Sequence, residues 1–83
     1  MYKVNLSSEA EKDLNAIDKK IKPKIISALL NLRNNPFAGK KLSGRLRNCY
    51  SLRVWPYRII YLLDKKRLLV LVIRISQRSK VYR

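Results

Sequence analysis

Residues 68–75, Leu-Leu-Val-Leu-Val-Ile-Arg-Ile, are apolar except for Arg74. The run is far too short to cross a bilayer as a helix, which needs about 20 residues. With Val70, Val72 and Ile73 at its centre it is rich in β-branched side chains, which suit a pleated surface. It predicts a central strand covered on both faces, and therefore a sheet on either side of it. The preceding segments supply that sheet. Tyr50, Leu52 and Val54 alternate with Ser51, Arg53 and Trp55, the period of a half-buried strand. A turn at Pro56 leads to a second strand over 57–63, and Asp64-Lys65-Lys66 turns the chain into the apolar run. Three consecutive strands joined by short turns predict an antiparallel meander.

The first half reads differently. Tyr2, Val4 and Leu6 alternate with Lys3 and Asn5 as an N-terminal strand. Ser8, with Glu11 three residues on, reads as the N-cap of a capping box, and Ala10, Leu14 and Ile17 give a helix over 8–18. Asp18-Lys19-Lys20 is a tight connection. Ile21, Ile25, Leu29 and Leu32 form the stripe of a second helix, with Pro23 in its first turn and Asn34-Asn35-Pro36 ending it. Both stripes need a surface to bury against. The chain therefore reads as one α+β domain over 1–83: an N-terminal strand, a helical hairpin, then the three-strand meander completing one sheet with the helices on one face.

Charge narrows the function. The 83 residues carry 20 Lys and Arg against 5 Asp and Glu, a formal net charge of +15. Residues 1–35 hold seven basic and four acidic residues, net +3, whereas 36–83 hold 13 basic residues and Asp64 alone, net +12. Such self-repulsion opposes a compact state and points to a polyanionic partner: nucleic acid, an anionic membrane or an acidic protein. Cys49 is the only cysteine, so neither an intrachain disulfide nor a cysteine metal cluster is available. The start of the chain lacks the apolar run of a secretory leader, which predicts a cytoplasmic protein.

The residue inventory also excludes chemistry. The chain has no His, and four of its five acids lie between Glu9 and Asp18. It has no Gly-rich phosphate loop either. These features predict no cofactor and no metal site. One reaction stays open to Arg, Lys, Tyr and Ser: cleavage of RNA by its own 2′-OH. A protein helps by aligning that hydroxyl with the phosphorus and stabilising charge on the phosphoryl oxygens. Arginine suits the second task. Alternation puts Ser51 and Arg53 on the face opposite Tyr50, Leu52 and Val54. That open face can gather Arg53, Arg58, Arg78 and Tyr82, flanked by Lys80 and by the basic loop over 36–48, with Lys40, Lys41, Arg45 and Arg47. Trp55 reads as a packing residue at the turn rather than a base-stacking platform. Lys65-Lys66-Arg67 reads as a solvated turn and Cys49 as a small packing residue.

Four segments together carry a resemblance. Leu42-Ser43-Gly44, Cys49-Tyr50-Ser51-Leu52-Arg53-Val54, Tyr57-Arg58-Ile59-Ile60-Tyr61 and Gln77-Arg78-Ser79-Lys80-Val81-Tyr82-Arg83 occur in the order and spacing of the RelE branch of the RelE/ParE-type toxins. The resemblance spans nearly the whole chain. It implies a toxin of a type II toxin–antitoxin system, a ribosome-dependent mRNA endoribonuclease that inhibits translation. By position it implies catalytic roles for Arg53, Arg58, Arg78 and Tyr82. Charge and strand parity add Lys40, Lys41, Arg45, Arg47, Ser51 and Lys80 as expected RNA contacts. It also implies as partners the ribosome, mRNA and an acidic or amphipathic antitoxin encoded nearby, held in a hetero-oligomer. Ser51 departs from the pattern, because it stands where active members carry a lysine proposed as general base. Two other readings remain at this point: a ParE-like toxin that blocks DNA gyrase, and a non-catalytic basic RNA-binding module.

Overall fold

Strand β1 (Lys3–Leu6) leads through Ser7 into α1 (Ser8–Ala16), and α2 (Lys22–Asn31) follows. Four strands complete the chain: β2 (Lys40–Lys41), β3 (Cys49–Val54), β4 (Tyr57–Asp64) and β5 (Leu69–Gln77). The structure, a computed structural model, describes residues 1–44 and 48–77. All five strands form one sheet in the order β1-β5-β4-β3-β2. The predicted meander is β3-β4-β5, and the N-terminal strand pairs with β5 in parallel, Val4 opposite Val70 and Leu6 opposite Val72.

The helices pack on one face, α1 against β5 and α2 against β3. Ala10, Ile17, Ile25, Leu29 and Leu32 meet Tyr50, Ile59, Tyr61, Leu63, Val70, Val72 and Ile75 in a single core. β5 is interior, as its apolar run predicts, but it is not covered on both faces. Val70, Val72 and Ile75 are buried while Leu69, Leu71 and Ile73 are only half-buried and Arg74 is exposed. Among the described residues there is one helical layer, so only one face of the strand receives it.

Local chemistry shifts two other expectations. The N-cap of α1 is Ser7, not Ser8: the Ser7 hydroxyl accepts from Ala10 N–H at 3.0 Å and donates to Ile73 O at 2.8 Å. One side chain thus satisfies an orphan helix donor and a carbonyl on β5 where β1 stops pairing. Ser7 is preferred because Ser8 lies one residue inside the helix and cannot reach both. The helix ends at Ala16 rather than 18, because the Asp18 carboxylate accepts from Lys20 N–H at 3.2 Å and starts a turn. Pro23 sits in the first turn of α2, as predicted.

The basic loop is not wholly irregular. Lys40 and Lys41 form β2 and pair antiparallel with Ser51 and Tyr50 of β3. Two adjacent lysines show no alternation, so nothing local marks a strand. The pairing depends on Tyr61, buried in β4. Its hydroxyl donates to Pro36 O at 2.7 Å and accepts from Gly39 N–H at 3.0 Å, fixing the segment that delivers β2. Tyr61 stacks on Tyr50 with centroids 5.4 Å apart, and Phe37 meets Tyr50 edge-on at 6.1 Å. Burial pushes the Tyr61 phenol above its ordinary pKa, despite the opposing Gly39 hydrogen bond.

Candidate nucleic-acid interface

The β3–β4 hairpin closes through the Val54–Tyr57 pair, and the next pair inward is Arg53 opposite Arg58. Arg58 in turn lies opposite Ser76 on β5. Residues directly opposed in an antiparallel pair share a face, with Cβ atoms about 5 Å apart. Two arginines therefore stand opposite one another on the face away from the helices, Arg53 exposed and Arg58 half-buried. The next row on this face is Lys40, Ser51, Ile60 and Arg74.

This second row departs from a simple open surface. Ser51 is only 7% exposed, and its Oγ has no hydrogen-bond partner among the described residues. Ile60 and Cys49 are buried as well. Burial raises the pKa of the Cys49 thiol, which fits the packing role expected for it.

Arg74 shares the face, but its Nε bonds Asp13 Oδ2 at 2.8 Å and a second guanidinium nitrogen reaches Asp13 Oδ1 at 3.3 Å. The same Asp13 carboxylate accepts from Ile75 N–H at 2.9 Å. Partial burial disfavours the carboxylate, but these hydrogen bonds and the Arg74 charge outweigh it, and Asp13 titrates below its ordinary value. Arg74 is thus spent on tying α1 to β5, beyond the point where β1 ends.

The predicted basic residues divide accordingly. Lys40, opposite Ser51, lies on the Arg53–Arg58 face, whereas Lys41, opposite Tyr50, lies on the helix side. Register separates what adjacency in sequence joins. Arg45, Arg47, Arg78, Lys80 and Tyr82 lie outside the described residues; β5 ends at Gln77, opposite Tyr57 and next to the arginine row. Trp55 differs from its expected packing role, because it is 62% exposed in the turn between β3 and β4.

Sequence reasoning missed the Tyr61 clamp and the Asp13–Arg74 tie. A signal for the first was present, since a buried Tyr among aliphatics needs a partner for its hydroxyl. The second joins residues 61 apart and had no local mark. Away from the arginine face, a groove of about 600 Å³ runs between β1 and the helices, lined by Tyr2, Val4, Leu14, Ile26 and Leu30 among others. No helix among the described residues is long and apolar enough to cross a membrane.

Comparison with known proteins gives concordant results. The family model described as "ParE toxin of type II toxin-antitoxin system, parDE" matches residues 4–82. The Toxin RelG of Mycobacterium tuberculosis is 30% identical over 88 residues, covering 99% of this chain and 97% of the relative. The toxin–antitoxin complex RelBE2 of the same organism contains a chain that superposes with a TM-score of 0.86 at 26% identity, covering 93% of this chain and 98% of that one. The isolated Escherichia coli RelE toxin shares the fold with a TM-score of 0.81 at 24% identity, covering 99% and 92%.

Proposed function

The chain belongs to the RelE/ParE-type toxin superfamily of type II toxin–antitoxin systems, and we propose that it is a metal-independent, ribosome-dependent mRNA endoribonuclease in the cytoplasm. The observation that carries this reading is the Arg53–Arg58 pair, two guanidiniums set opposite one another on the face away from the helices. Together they suit a phosphodiester whose non-bridging oxygens gain charge as the 2′-OH attacks. In that reaction the 2′-oxygen bonds to phosphorus and the 5′-oxygen leaves. The 2′-OH gives up its proton and the leaving oxygen takes one. Arg78 is assigned a share of the charge stabilisation and Tyr82 a share of the proton transfer. Lys40, Arg45, Arg47 and Lys80 are assigned to the RNA around the cleavage point, whereas Lys41, on the helix side, and Ser51, buried, are not. With no His to move protons at neutral pH, the ribosome has to supply much of the alignment.

A ParE-like reading, in which the target is DNA gyrase, is favoured by the matching family model and by Ser51 in place of a lysine. A non-catalytic RNA-binding role would need only the charge. Adding the purified protein to translating ribosomes separates the three. Cleavage of mRNA within the decoding site supports the nuclease. Intact mRNA with gyrase-dependent DNA damage supports the second, and salt-sensitive binding without either supports the third. The relatives that crystallised as toxin–antitoxin complexes support an antitoxin as the partner of this chain in a hetero-oligomer. An acidic segment would neutralise the arginine face, and the groove beside β1, largely apolar but bordered by Lys3 and Arg33, offers its apolar side chains a foothold.

A further inference from the structure

We propose that Trp55 is a stacking platform for an RNA base, placed to receive a nucleotide next to the phosphate gripped by Arg53 and Arg58. The inference rests on the RNA reading of this face and adds a specific contact to it. A tryptophan in a small domain normally contributes its large ring to the core or to an interface. Trp55 lies outside the core. It is 62% exposed, and among the described residues no aromatic ring stacks on it and no cation lies over it. The Val54–Tyr57 pair closes the hairpin around Trp55 and Pro56, so the ring stands at the tip of a turn braced by two paired strands. Only the Val54–Tyr57 pair separates it from the Arg53–Arg58 pair.

The charge around it selects the occupant. Asp64, the only acid after residue 35, lies at the far end of β4, opposite Leu69. The tip is thus an exposed π-surface one strand pair from two arginines, with no acidic residue on the hairpin near it. Single-stranded nucleic acid is bound by that combination: cations hold the backbone and an aromatic face takes a base, tolerating any sequence because every base has a π-face.

Trp55 is the only tryptophan in the chain, so intrinsic fluorescence reports on this position alone. The full-length protein is titrated with a short single-stranded oligouridine RNA, with an abasic strand of equal length, and with inorganic polyphosphate. Binding is followed separately by anisotropy of end-labelled probes. The expected result is that all three bind and only the base-bearing RNA quenches Trp55. Trp55→Ala should weaken RNA binding about fivefold or more, with an unchanged salt slope, while Trp55→Phe keeps most of the affinity. Polyphosphate affinity should be the same in all three proteins. Equal quenching by the abasic strand, or wild-type RNA affinity in Trp55→Ala, would overturn the stacking role while leaving RNA binding in place. Failure of RNA to bind the wild-type protein at all would remove the RNA reading, and this inference with it.

Discussion

At the scale of single residues, the side chains on the sheet's outer face differ in how free they are to act. Arg74 is bound to Asp13, while Arg53 projects into solvent beside Arg58. Replacing Arg53 or Arg58 by Ala should lower ribosome-dependent cleavage at least about tenfold, since one oriented charge-stabilising donor is worth a few kcal/mol in the transition state. The Arg53 change should leave thermal stability nearly unmoved, because the side chain is exposed. Cleavage assays on both variants check this, and unchanged rates would take the pair out of the site. Asp13 makes a different prediction. Its folded pKa is depressed, so its stabilisation is fully present above the ordinary carboxylate pKa of about 4 and is lost as pH falls through the lower folded value. Asp13→Asn should cost roughly 1 kcal/mol at neutral pH. Denaturant titrations should show that gap closing as the pH falls below about 4, and a constant gap would mean that charge plays no part in the tie.

At the scale of elements, β2 exists because β4 holds it. A two-residue strand has little stability of its own, and Tyr61 fixes its approach through Pro36 and Gly39. Gly39 is needed for close approach, because a Cβ there would stand 2.8 Å from the Tyr61 hydroxyl and 3.1 Å from the Ser51 backbone. Tyr61→Phe should therefore cost about 1–3 kcal/mol, the penalty for leaving buried backbone groups unpaired. It should also raise hydrogen exchange at Gly39 and along β2 more than along β5. Uniform exchange across the sheet would show that the clamp does not set the position of β2.

At the scale of the whole molecule, most of the +15 charge lies on the half that builds β2 to β5. A folded state under such self-repulsion gains from any acidic partner that binds it and not the unfolded chain. The product of the neighbouring reading frame, at a free concentration one hundred times its Kd, should stabilise the protein by about 2.7 kcal/mol. For a domain of this size that raises the melting temperature by about 10 °C or more. Translation should recover in parallel. Tight binding with no shift in melting and no recovery would exclude that product as the antitoxin.

Periodicity and charge alone made the architecture legible. Alternation over 50–55, the apolar run at 68–75 and the two helical stripes specify a sheet with helices on one face, because side-chain period dictates which surface each element must bury. The opposition of Arg53 and Arg58 was half visible, since strand parity assigns a face but not a register. Tertiary structure decided the rest. Whether Ser51 is exposed, whether Lys40 and Lys41 act together, and whether Arg74 is available depend on contacts between residues distant in sequence. So does the exposure of Trp55, which read as a packing residue at the turn. Burial and pairing are properties of the packed sheet, and no local pattern encodes which partner a side chain will meet there.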